Sequence, residues 1–218
     1  MGDFNSAKTS FSEVLNQLPG EAAPKLALAA VSELILQEGG YQSSELLHDE
    51  LAPAAAGLSQ HLRDVPDDVF EHMSADGITD GSWSLTVTSP EGLRFHATRL
   101  YALVWMTNPT TVSSAFGLAR MLMCEGEVEL AIKALDKVPN ASRHYRMAQL
   151  TAILCLVAEG ATEDHIRLAA RRLEQIPSTE PRFLQIKVAV IEAGLTYLRA
   201  HQASTCLLYT SPSPRDKR

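Results

Sequence analysis

The stretch Gly92–Pro139, GLRFHATRLYALVWMTNPTTVSSAFGLARMLMCEGEVELAIKALDKVP, decides how the rest of the chain is read. It divides into a helix, a turn, a helix, a turn and a helix. Within it Gly92, Ala97, Tyr101, Val104 and Pro109 stand at successive spacings of 5, 4, 3 and 5. A small residue, a large one four places on and an apolar one after three more share one helical face. The proline eight residues past the large one marks where a helix must stop. The spacing recurs. Gly2, Ala7, Phe11, Val14 and Pro19 repeat it in full. Ala169, Leu173, Ile176 and Pro181 repeat its last three intervals, and Gly126, Ala131, Leu135 and Val138 its first three. An ordinary helical bundle would show such a pattern once by chance, not four times in one register.

A repeated helix of this kind is the second helix of a tetratricopeptide repeat, whose period is about 34 residues. The small residue lets neighbouring helices approach, and the large one fills the groove between them. Stacked pairs then share a continuous core without a single centre. The expected fold is all-α, a tetratricopeptide helical-hairpin solenoid truncated at both ends. Ala97, Ala131 and Ala169 should be buried, and so should Tyr101, Leu135 and Leu173.

Taken in order, the chain opens in mid-repeat. A helix over about 3–17 lacks the first helix of its own pair and should expose one face. The first helix of the next repeat follows over about 22–37. After Gly39-Gly40 its partner should come at once, yet the signature resumes only at Ala97. Residues 41–91 therefore read as an insertion, loosely packed or disordered, in which Trp83–Val87 alternates like a short strand. Repeat three pairs about 111–124 with 127–138, and repeat four pairs about 142–159 with 163–175. Thr162 is placed to cap the last of these, with Glu163 and Asp164 in its first turn. A final helix over about 181–201 carries Phe183, Ile186, Val190, Ile191, Leu195 and Leu198. The domain divisions are thus 1–40, the insertion 41–91, the solenoid 92–203 and a tail 204–218. Residues Cys206–Asp216, CLLYTSPSPRD, match the translation of a common transposase sequencing adapter, so the tail reads as artefactual and the natural C-terminus as lost.

Bulk composition narrows the function. The 218 residues are 45% hydrophobic, enough for a sizeable core, and the formal net charge of −7 argues against nucleic acid as a partner. No window holds the twenty or so apolar residues of a membrane span, and the polar opening MGDFNSAKTS is no signal peptide. Cys124, Cys155 and Cys206 have neither pairing nor metal spacing. The first two read as reduced core residues, which fits a cytoplasmic location.

LPGEAAPKLALA at 18–29, YALVWMTNPTTVSSAFGLAR at 101–120 and ALDKVP at 134–139 carry a more specific resemblance. They resemble the C-terminal tetratricopeptide region of the actinobacterial PknG-type serine/threonine protein kinases, over about 1–40 and 92–200. This family shows LPGE-x-APKLALA, then LVWRTD followed by SAAFGLAR, and an ALD-x-VP segment. The chain departs from it at Met106, in place of Arg, at Asn108, in place of Asp, and in the insertion, differences that bear on local surface chemistry. The resemblance implies a parent protein with a rubredoxin-like metal module, a kinase domain using ATP and Mg, and the repeat region. It also implies phosphorylation of a small forkhead-associated-domain regulator of 2-oxoglutarate metabolism, with the repeats serving docking and dimerisation.

Kinase chemistry needs a glycine-rich phosphate loop, a strand lysine, a catalytic Asp and Asn, and a metal-binding Asp-Phe-Gly. None of these is in the sequence. His61-Leu62-Arg63-Asp64 only imitates a catalytic loop, no C-x-x-C is present, and His48 and His72 lack zinc spacing. Each of the seven histidines reads as a surface or loop residue. The chain is expected to be no enzyme, with no catalytic, metal or cofactor residues. Recognition remains, by a protein partner, the parent's own kinase domain or a second copy. Polar positions on first helices are the candidates: Thr111, Ser114 and Arg120, then Arg143, Arg146 and Gln149. Arg143-His144-Tyr145-Arg146 suits an acidic or phosphorylated partner, while Trp105 and Phe116 read as packing residues. Two other functions fit the same pattern. A stand-alone adaptor would have no kinase frame upstream, and a helical small-molecule sensor would show one enclosed apolar pocket.

Overall fold

The computed structural model describes residues 3–38, 90–108 and 110–209, with side chains for 3–38, 93–108 and 110–201. Asp3 opens the first helix by capping: its carboxylate accepts the Ser6 backbone N–H at 3.0 Å. Helix α1 spans Phe4–Gln17 and α2 Ala22–Glu38. Pro90 starts α3, Pro90–Thr107, at the position where a missing N–H costs least. Then come α4, Val112–Cys124, and α5, Val128–Asp136. Gly126, at φ 76°, turns the chain between them. Its N–H donates to Met123 O at 3.2 Å and that of Glu127 to Leu122 O at 2.9 Å, which satisfies two carbonyls at the end of α4. Helix α6 spans Tyr145–Leu156, α7 Glu163–Glu174 and α8 Phe183–Tyr209. Gly160, at φ 80°, makes the α6–α7 turn. Thr162 caps α7 as expected, accepting the His165 N–H at 3.2 Å. Among the described residues the fold is all-α, a helical repeat without strands.

Most expected boundaries lie within a few residues of the observed ones. Helix α6 is shorter than 142–159, because Ser142 to His144 form a turn and Leu156 is followed by another. Helix α8 runs eight residues past 201. The insertion read at 41–91 lies outside the described residues except at its end, where Pro90 and Glu91 already belong to α3. The strand read at 83–87 lies outside them too.

Two compact units divide the chain, 1–148 and 149–218. In the first, α1 packs on α2, α2 on α3, α3 on α4 and α4 on α5. Helix α3 is buried nearly all round; of its residues 93–106 only Arg99 is not. A helix enclosed in this way carries apolar residues on every side, which is why LYALVWM shows no polar stripe. Met106 is among the enclosed residues at 2% exposure, so its departure from the family pattern changes the core and not the surface. Trp105 donates its indole N–H to Ala134 O at 3.1 Å, tying α3 to α5. In the second unit α7 packs on α8, and Leu150, Ile153, Ala169, Leu173, Ile186 and Val190 are buried.

The small-and-large spacing is realised where it predicts a close crossing. Ala97, Ala131 and Ala169 are each 0% exposed, and Tyr101, Leu135 and Leu173 are 3%, 1% and 8%. The first copy differs: Ala7 and Phe11 are half-buried and Val14 is exposed. The nearest approach joins α3 to α4. A Cβ built on Gly117 would stand 2.3 to 2.6 Å from three atoms of the Tyr101 ring, so only glycine lets the ring lie there.

Three expectations about buried and exposed groups are corrected. Cys124 is exposed in the last turn of α4 instead of in the core, whereas Cys155 is buried. Ser114 is fully buried and donates to Thr111 O at 2.6 Å, so it offers nothing to a partner. His96 is no surface histidine: it is 4% exposed, and neither ring nitrogen has a hydrogen-bond partner. A histidine within the family-like helix α3 follows the apolar spacing of its neighbours into the core. Burial, helped by the positive charges of Arg99 and Lys8, holds its pKa down at about 4.

Two outcomes follow from these contacts. Gly117→Ala would gain up to about 1 kcal/mol in a free helix. Here it should destabilise the chain by about 1–3 kcal/mol through overpacking against Tyr101, and urea unfolding reads the sign. For His96 the folded pKa lies below the unfolded value of about 6.5. Stability is therefore intact above about pH 6.5 and is lost as pH falls toward 4, by about 2 kcal/mol at pH 5. Urea midpoints at pH 7 and pH 5 should show this drop, and His96→Leu should remove its share.

Candidate protein-interaction surfaces

Arg120 emerges from α4 with its side chain 55% exposed, but its guanidinium is engaged. Its Nε donates to Glu33 Oε1 at 2.7 Å and its second terminal nitrogen to Glu33 Oε2 at 2.9 Å. Glu33, from α2, is 6% exposed. The Tyr101 hydroxyl donates to the same Oε2 at 3.0 Å. Burial, then the Glu33 charge beside it, pushes the Tyr101 hydroxyl well above its usual range, so it stays protonated and donates. The bond to Glu33 raises the Arg120 pKa further. The residue read as a partner contact thus first neutralises a buried carboxylate of its own chain, leaving the outer part of its side chain in solvent. A second pair lies nearby in the chain: Arg94, 6% exposed, meets Glu125 Oε1 at 3.2 Å.

The other candidates flank the start of α6. Arg143 is exposed in the turn before the helix, its Nε 3.0 Å from His144 Nε2, so these two side chains are brought together. Arg146 is half-buried within the first unit, and Gln149, half-buried, opens the second. Thr111 is half-buried at the start of α4. Trp105 is 2% exposed and Phe116 half-buried, in keeping with packing roles.

Helix α8 carries a surface that residue spacing alone did not isolate. Ile186 and Val190 are buried, 5% and 7% exposed. Leu184, Val188, Ile191, Leu195 and Leu198 are 72%, 52%, 51%, 46% and 54% exposed. Read as one apolar set, Ile186, Val190, Ile191, Leu195 and Leu198 look like a single core face. They form two, on opposite sides of the helix. The exposed set is spaced 4, 3, 4 and 3, the heptad seam of a helix that packs lengthwise on another. Isolated exposed aliphatic side chains are ordinary; five in one line form a continuous apolar stripe.

Among the described residues no three His, Cys, Asp or Glu side chains are grouped to hold a metal ion, and no helix is long and apolar enough to cross a membrane.

Comparison with known proteins agrees with this reading. The family described as Protein kinase G tetratricopeptide repeat matches residues 1–214. The serine/threonine-protein kinase PknG of Mycobacterium leprae is 37% identical over 207 residues, and that of Mycolicibacterium smegmatis 34% over 207. Each match covers 93% of this chain and 20% of the kinase, so the chain spans about one fifth of the length of these curated relatives. The matched part is the repeat region, and a kinase domain is absent from this chain. Tetratricopeptide repeats serve protein–protein interaction. With its buried small-and-large crossings and its helical hairpins, the chain belongs to the Protein kinase G tetratricopeptide repeat family.

Proposed function

We propose that this chain is a non-catalytic interaction and dimerisation module, the C-terminal tetratricopeptide part of a PknG-like serine/threonine kinase. It works in the cytoplasm and needs no cofactor of its own; ATP and Mg belong to the kinase region of the parent protein. Nucleic acid is not its partner, given the net charge of −7. Its partner is a protein, the parent's own kinase domain or a second copy of itself.

The exposed seam of α8 carries the dimerisation reading. A helix apolar on two opposite faces has one face covered by its own chain and one left for another helix. Covering the exposed half of a Leu, Ile or Val side chain contributes about 1 kcal/mol, and five act together against the entropy of association. Flanking charges favour one arrangement. Parallel pairing of two α8 helices sets Lys187 of one copy against Glu192 of the other, whereas antiparallel pairing centred on Ile191 sets Glu192 against Glu192.

Sedimentation tests this directly. The chain should self-associate, and Ile191→Glu with Leu195→Glu should weaken that association at least about tenfold. Because both residues face solvent, unfolding midpoints read at concentrations where the chain is monomeric should stay unchanged. A chain that is monomeric throughout, or a variant that associates equally well, would contradict the dimer. Phosphate transfer from ATP by this chain alone would contradict the non-catalytic part.

A further inference from the structure

An open groove of about 810 Å³ lies within the second unit, between the α6–α7 turn and the middle of α8. We propose that it seats a lysine- or arginine-bearing, otherwise apolar peptide segment of a protein partner. The inference rests on reading the chain as an interaction module, but it concerns a different surface from the α8 seam.

The turn, residues 157–163, forms one wall, and α8 from Ala189 to His201 forms the other. Ala161 stands on the turn side, and Ala189, Ala193 and Ala200 on the helix side. Side chains this short leave a trough that aliphatic groups of an extended segment can enter, and the volume is that of an ordinary ligand cleft. Tyr197 and His201 stack at one end, ring centroids 3.9 Å apart, and His201 Nδ1 lies 2.9 Å from Tyr197 O. A tyrosine held in place like this offers its ring to a cation.

Charge selects the occupant. Glu159, Glu163 and Glu192 line the groove, and among the described residues no lysine or arginine does. Glu163 is partly neutralised by Arg167, whose Nε donates to it at 2.8 Å; Glu159 and Glu192 are exposed. The α7 N-terminus, often an anion site, is closed by the Thr162 cap and carries Glu163 and Asp164 in its first turn. A phosphorylated or acidic segment would meet carboxylates there, and a basic one would meet charges of opposite sign. Each exposed pair contributes little alone, so recognition needs the apolar trough and the charges together.

Amide shifts of the whole chain, titrated with a short alternating lysine–leucine peptide, test this. Gly160, Ala161, Ala193 and Tyr197 should shift and saturate. Glu159→Lys with Ala161→Arg, both on the turn and away from the seam, should weaken binding by roughly tenfold while leaving sedimentation unchanged. A glutamate–leucine peptide should leave these amides unmoved. Equal binding of the acidic peptide, or no saturable shift with the basic one, would overturn the proposal. Self-association is read separately, so either surface can fail while the other stands.

Discussion

One buried carboxylate sets the terms for the first half of this chain. Glu33 lies on α2 at 6% exposure, and a carboxylate so enclosed is tolerated only if it is paired and hydrogen-bonded. Arg120 from α4 supplies two N–H groups and Tyr101 from α3 supplies its hydroxyl. Tyr101 reaches that position because its ring lies against Gly117, where any side chain would collide. Three helices are thus held in register by one polar cluster, and its geometry depends on a glycine. The repeat spacing serves the same end: Ala97, at 0% exposure, lets α3 cross its neighbours closely, and Ala131, also at 0%, does the same for α5.

Much of this was legible beforehand, for a physical reason. Spacing within a helix reports which residues share a face and how large they are, and close packing acts on those two properties. The burial of Ala169 and Leu173, the turn at Gly126 and the Thr162 cap all follow from local pattern. What was not legible depends on contacts distant in sequence. Glu33 and Arg120 are 87 residues apart, so the sequence alone marks Arg120 as a partner contact and hides its carboxylate. His96 sits inside a helix buried on every side, and a residue's type does not reveal that. Ala7, Phe11 and Val14 carry the right spacing but only part of the burial, since spacing selects a face and a neighbouring helix must still cover it. The same limit hid the two faces of α8. Its apolar residues were visible, and their division into a buried and an exposed set becomes visible only once α7 is in place against one side.

Surfaces suited to recognition are what the core leaves over. In the first unit charges such as Arg120 and Arg94 are largely occupied with carboxylates of the same chain. In the second the long helix α8 offers an apolar seam, and beside the α6–α7 turn an acidic trough. A protein-interaction module needs surfaces of this kind.

The claim that Tyr101 holds α2, α3 and α4 together is tested most directly by amide hydrogen exchange in Tyr101→Phe. This variant keeps the ring on Gly117 and removes only the hydroxyl that Glu33 accepts. Loss of one bond to a buried charge should speed exchange about five- to tenfold, by a similar factor in all three helices, with α7 and α8 unaffected. Faster exchange confined to the turn of α3 around Tyr101, or in none of the three helices, would contradict the account.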